Sequence, residues 1–308
     1  MVSPRLQAPG PRHGEKAIQG LLALCALLSV LTTIAIVLSL LGPTIGFFEV
    51  VPAGDFFFGI DWTPQFEPPS FGVLAIVAGT LNVALWAMLF AVPIGLGAAV
   101  YLSEYASPRV RRTVKPVLEI LAGIPTVAIG IFAVSFLLPH AIQPIWPDDL
   151  LGGAEKPFMA LAASLGVGLM VVPIIASISE DAMSAVPSGL REGAYAMGAS
   201  KRKVATRVIF PAAISGIVAS IVLAISRAVG ETMIVLIAAG STPSFSLWPN
   251  EPVQTMTAYI AVIATGDLPT DSIDYKSVFA VGSLLFLATL AMNLLSIRLV
   301  RRYREVYE

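Results

Sequence analysis

Residues 73–102 read VLAIVAGTLNVALWAMLFAVPIGLGAAVYL, and no Asp, Glu, Lys or Arg occurs from 68 to 103. A membrane-spanning helix needs about 20 largely apolar residues, and this run is longer. It lacks the period-two alternation and the segments of about 10 residues that mark a membrane barrel. It therefore predicts a spanning helix. Working outward, the same absence of charge recurs at 17–48, 120–147, 157–179 and 277–297. A sixth apolar region, 208–250, is interrupted only by Arg227 and Glu231. Six helices are expected, at about 18–41, 73–102, 117–138, 158–179, 209–239 and 278–298. The fold class is thus an all-α polytopic membrane protein: one transmembrane domain over 18–308 behind a tail of residues 1–17.

Composition agrees. The 308 residues are 56% hydrophobic and only 13% charged, about half the charged share of a soluble domain. That excludes a soluble globular chain and a disordered one. The lone Cys25 cannot form a disulfide within the chain or a cysteine-based metal site; it is read as a small packing residue. The first apolar run exceeds the core of about 7–15 residues in a signal peptide. Leu22-Ala23-Leu24-Cys25 resembles a lipoprotein signal, but Leu24 is bulky where a small residue belongs, so the first helix is expected to stay. With only His13 and His140, a His-rich metal site is not expected. No metal, cofactor or nucleic-acid partner is expected; membrane lipid is.

Several chemistries are missing. No G-x-x-x-x-G-K-[ST] loop binds ATP, and neither G-x-S-x-G nor H-E-x-x-H occurs. No catalytic residue is therefore assigned. No repeat of 20–50 residues is visible, nor the half-to-half similarity common in secondary transporters. The chain reads as part of a pathway whose energy comes from elsewhere.

Lys and Arg set the orientation. Counted from the N-terminal tail through successive loops to the C-terminus, they number 3, 0, 4, 1, 5, 1 and 4, with Arg227 left inside a span. Glu49, Asp55, Asp61 and Glu67 fill the second segment, which has no cation. The alternation predicts both termini in the cytoplasm.

Residues 180–208 form the longest cytoplasmic loop. Pro187 can end the preceding helix, Ser188 can cap the next, and Glu192 is expected in its first turn, where the helix dipole favours an anion. Leu190, Ala194 and Met197 recur at helical spacing. A short helix, a break near Gly198 and a second basic helix running into Ile209 are expected. Glu192, Gly193, Ala194, Gly198, Val208, Phe210 and Pro211 resemble the loop E-A-A-x-x-x-G-x(9)-I-x-L-P of ABC importer permeases, with Gly193, Val208 and Phe210 as conservative departures. In that family the loop helix fits a groove on the ATPase subunit and transmits its motion, so the resemblance implies ATPase coupling through Glu192, Gly193, Ala194 and Gly198.

Arg227 and Glu231 lie in Ile225-Ser226-Arg227-Ala228-Val229-Gly230-Glu231-Thr232-Met233. An intramembrane charge costs at least ~2.5–3.5 kcal/mol on insertion scales. Spacing of four places both on one helix face, where they can pair. One explanation is a buried salt bridge that only locks helices together. The other is anion passage, because a guanidinium fork matches a tetrahedral oxyanion and Glu231 would hold it when the path is empty. Glu119, near the end of the third helix, either snorkels to the interface or is a second partner.

Longer segments carry a whole-chain resemblance. Tyr101 to Ala106, Lys115 to Thr126, Ser179 to Met183, Ser226 to Met233, Gln254 to Tyr259 and Arg304 to Glu308 resemble permeases of bacterial high-affinity phosphate ABC importers, of the PstC type. That resemblance covers most of residues 56–308. It implies the type I ABC importer fold and a PstA-like second permease. It also implies two copies of a PstB-like ATPase and a periplasmic or lipid-anchored phosphate-binding protein. Arg227 and Glu231 are then the expected substrate-pathway residues. Two other classes fit the bare residues: a self-contained secondary anion transporter or channel, separable by its independence of an ATPase, and a non-transporting membrane scaffold.

Overall fold

A computed structural model describes residues 13–145, 158–267, 269 and 271–303. Four helices are long and apolar enough to span a membrane, and six spans result if each of two sharply bent helix pairs counts as one. Helix α1 is His13–Phe48, and α2 is a short turn of helix at Ala53–Phe58. A two-stranded antiparallel ribbon follows, pairing Trp62 with Phe71 and Thr63 with Ser70. Helix α3, Leu74–Val100, runs on through a wider π-helical turn, Tyr101–Tyr105.

Helix α4, Pro108–Leu121, is capped by the Ser107 side chain, which accepts from the Val110 N–H. Helix α5, Thr126–Phe132, continues as π-helix over Ala133–Ile142. Helix α6 is Ala160–Ser184, α7 is Ser188–Ala196, and α8 is Lys201–Val204, prolonged through Ala205–Ile209 to Ala212. Helices α9, Ile214–Val229, and α10, Met233–Ala238, share one expected span. Helices α11, Met256–Ala264, and α12, Ile273–Tyr303, complete the chain.

Three expectations need correcting. The third span, expected as one helix over about 117–138, is bent by 89° between α4 and α5. The break falls at Gly123-Ile124-Pro125, where proline drives the preceding residue out of helical geometry. The fifth, expected over 209–239, is bent by 71° at its start, next to Pro211, and broken again at Gly230. The segment 241–277, expected as loop alone, holds α11. Its apolar run, Val253 to Ala264, is shorter than a span; such runs fold as buried or re-entrant helices. Met256, Ala258 and Tyr259 are buried. The Thr255 side chain caps α11, and the Thr80 hydroxyl of α3 accepts from the Met256 N–H (3.0 Å). Helix α3 passes so close that a Cβ at Gly79 would collide with the Gln254 carbonyl.

The α3–α6 pair makes the most extensive helix contact. Small residues permit it: a Cβ at Gly95 would meet Ile175, and one at Gly168 would meet Phe90. Around this pair α5, α9 and α10 close the main core by packing Ile129, Ala224 and Ile234 in one cluster with Val167 of α6. A second, aromatic core joins the end of α1 to the ribbon: Phe47, Phe56, Trp62 and Phe71 meet edge to face, and Trp62 meets Tyr259 at 4.8 Å between ring centres. Most of α1 before this core is exposed. Cys25, expected as a packing residue, is exposed too, because α1 packs on α12 and on the aromatic core only towards its far end.

Candidate functional site

Helix α9 stops at Val229, and Gly230 ends it. Arg227 and Glu231 therefore do not share one helix face. The Glu231 carboxylate instead accepts from the Met233 and Ile234 N–H groups, at 3.1 and 3.2 Å. Those are the free donors at the start of α10, which an oxygen acceptor satisfies. The Thr257 hydroxyl of α11 donates to the Glu231 carbonyl at 2.6 Å. Glu231 is buried, with 8% of its surface exposed. The expected pair is absent: no ion pair joins Arg227 to Glu231 among the described residues. Gly-Glu-Thr is a helix stop followed by a capping acceptor, a signal legible in the sequence that the four-residue spacing obscured.

Arg227 is exposed on α9 in a stripe with Leu223 and Gly230, whereas Ala224 and Ala228 face the core. Ser226, on the adjacent face, bonds Asn293 of α12 at 3.2 Å. A guanidinium in a span is costly against hydrocarbon. The Leu223–Arg227–Gly230 stripe therefore suits a second protein surface or a water-filled path. Glu119 is exposed on α4 and lines an open cavity of about 470 Å³ with Arg111, Arg112 and Lys115. No ion pair links it to Arg227 among the described residues.

The segment 180–208 folds as expected in outline, with two local corrections. Ser188 is the first residue of α7 rather than its cap; Pro187 holds the cap position, with no side-chain cap hydrogen bond. Glu192 consequently sits in the second turn. The end of α7 is a Schellman turn: Gly198 N–H bonds the Tyr195 carbonyl (2.9 Å), and Ala199 N–H bonds that of Ala194 (3.1 Å). Gly198 has φ +77° and nothing around the position of a Cβ, a left-handed geometry that glycine adopts without cost. Ala194 packs inward against a cluster that includes Met183, Val204 and Ile209. Glu192 and Gly193 point out, beside exposed Leu190, Tyr195 and Met197. This outward face combines apolar and acidic groups on a nine-residue helix.

Sequence reasoning missed the charges that hold this end together. Glu104, at the end of α3, takes Arg191 of α7 at 3.1 Å. Glu180, 1% exposed at the end of α6, pairs with Arg111 and with Lys115 of α4 (2.9 Å for the lysine). Asp181 also pairs with Lys115. Their basic members were counted only as orientation charges, since partners so far apart in sequence leave no local spacing to read.

The described residues thus combine bent spans around a close helix pair with a short outward helix between the fourth and fifth spans. Residues 91–305 match the family described as binding-protein-dependent transport system inner membrane component, and the chain belongs to that family. It is 30% identical to the probable ABC transporter permease protein YqgH of Bacillus subtilis, over 97% of this chain and 94% of that one. It is 33% identical to the phosphate transport system permease protein PstC of Haemophilus influenzae, over 92% of each. Among solved structures, a bacterial alginate ABC transporter shares the fold with a TM-score of 0.62 at 18% identity, over 95% of this chain and 98% of that one. The chain is thus an inner-membrane permease subunit of an ABC importer.

Proposed function

We propose that this chain forms half of the translocation pathway of an ATP-driven, high-affinity importer of inorganic phosphate. The observation that carries the reading is Arg227, an exposed cation with no ion pair among the described residues, on a spanning helix of a chain whose relatives include phosphate permeases. Phosphate offers several oxygens to a guanidinium fork. Arg227 is then the pathway group, and Glu231 shapes the break beside it.

The partners follow from the same reading. A PstA-like permease covers the Arg227 face. Two copies of a PstB-like ATPase supply the hydrolysis that this chain has no motif for, one of them docking on Leu190, Glu192, Tyr195 and Met197 of α7. A periplasmic or lipid-anchored phosphate-binding protein delivers substrate on the opposite side. Both termini lie in the cytoplasm. The outer loops, 43–70, 139–157 and 241–277, then hold 11 acidic residues and two lysines; a surface of that sign does not gather free phosphate.

Affinity purification of the chain from native membranes tests the assembly, and reporter fusions at residues 60 and 200 test the orientation. The expected result is a second permease and an ATPase in the eluate, with residue 60 outside and residue 200 inside. Recovery of the chain alone, active in anion transport without an ATPase, would support a secondary transporter instead. An external residue 200 would remove α7 from reach of any ATPase.

A further inference from the structure

We propose that Arg191 is a positioning residue that locks α7 to the α3–α6 pair, so that a displacement of α7 reaches both spans as one rigid movement. The inference rests on the reading of α7 as the coupling helix.

One guanidinium gathers three elements. Its Nη1 donates to the Val186 carbonyl and its Nη2 to the Met183 carbonyl, both at 2.6 Å. Met183 is in the last turn of α6 and Val186 just beyond it, where a cation complements the helix dipole. Nε and Nη2 also donate to Glu104 Oε1, at 3.2 and 3.1 Å. Glu104 sits in the π-helical turn that ends α3, its side chain 5% exposed, and takes the Ser103 hydroxyl as well. Arg191 itself belongs to α7 and turns away from the outward Glu192. A lysine, a point donor on a flexible stem, cannot hold two carbonyls and a carboxylate in this planar pattern.

The tie continues. Glu180 at the end of α6 holds Arg111 and Lys115 of α4, and Ser184 bonds both Glu180 and Arg111. Helix α4 turns by 89° into α5. The α3–α6 pair is therefore fixed to α7 on one side and to the bent span on the other. Replacing one member of a shielded pair by a neutral residue leaves the other uncompensated, so assembly is measured beside coupling in every variant.

The test uses the purified complex in proteoliposomes, with phosphate uptake and ATP hydrolysis measured on the same vesicles. Docking of α7 is followed separately, with a photo-crosslinker on Met197→Cys in a Cys25→Ser background. Arg191→Ala and Glu104→Gln should keep the crosslink to the ATPase while phosphate taken up per ATP falls roughly ten-fold, the scale of losing a hydrogen bond to a charged group. Arg191→Lys should recover part of it. The double variant should be no worse than the worse single one, because both remove the same bond. A wild-type ratio in both single variants, additive losses, or disappearance of the complex from the membrane in every variant would each overturn the proposal. Absence of a crosslink in the complex without these changes would instead overturn α7 as the coupling helix.

Discussion

Arg227→Gln is expected to lower phosphate uptake by about 100-fold with the complex still assembled, the upper scale of a lost charge-assisted interaction. Glutamine keeps hydrogen-bonding capacity and loses the charge. The geometry separates this outcome from a purely structural one. Were Arg227 the partner of a buried carboxylate, neutralising it would leave Glu231 uncompensated, at ~3–5 kcal/mol in the worst case. Neutralising both would then restore the protein. Glu231 Oε1, however, is already held by the Met233 and Ile234 N–H groups. The double change Arg227→Gln with Glu231→Gln should therefore transport no better than Arg227→Gln alone. Glu231→Gln keeps a carbonyl oxygen for the same donors and should be the milder single change. Arg227→Lys should fall between, since the charge remains and the fork is lost. Uptake normalised to assembled complex in membranes measures all four, and wild-type transport by the double variant would exclude Arg227 from the phosphate path.

The second large effect concerns Gly198. A side chain with φ near +77° costs about 1–2 kcal/mol for an ordinary L-residue, and the Schellman turn sets where α7 ends. Gly198→Val should leave the chain in the membrane, because no atom crowds the position. It should reduce ATP hydrolysis stimulated by loaded binding protein by about ten-fold, the rate equivalent of that strain. Gly198→Asn, which tolerates the left-handed region, should retain most of the stimulation. Gly198→Asp adds a carboxylate to the proposed docking face and should fall below Gly198→Asn. Glu192→Lys reverses an exposed charge on that face without touching the turn, and should lower stimulation as well. Equal stimulation in Gly198→Val and the unsubstituted complex would show that the turn does not set the coupling geometry.

The sequence and the structure agree where the signal is local and long. Charge-free runs such as 73–102 survive as α3, and the Pro187–Gly198 bracket survives as α7, because burial of apolar surface and backbone stops act within one turn of the residues that carry them. They part where a short element is decided by what packs on it. Met256–Ala264 is too short to span and becomes a helix between α3, α10 and α12, held by Thr80 and capped by Thr255. Gly123-Ile124-Pro125 and Gly230-Glu231 break runs whose hydropathy alone reads as continuous. Of the expected site, Arg227 was legible as an anomalous charge, whereas the capping role of Glu231 was not, since spacing of four implies pairing only if the helix continues. The Arg191–Glu104 and Glu180–Arg111 ties join residues about seventy to ninety positions apart, and only the folded α3–α6 pair brings them together.

In the proposed mechanism a separate ATPase drives a passive pathway, and phosphate accumulation in proteoliposomes tests that most directly. The complex is reconstituted with its co-purifying subunits, binding protein is supplied outside and ATP inside, and labelled phosphate is followed with time. Accumulation that requires ATP, an intact ATPase subunit and the binding protein together, and that disappears with Arg227→Gln, is the predicted result. Phosphate uptake by this chain with no ATPase present, or ATP-driven uptake undiminished by Arg227→Gln, would contradict it.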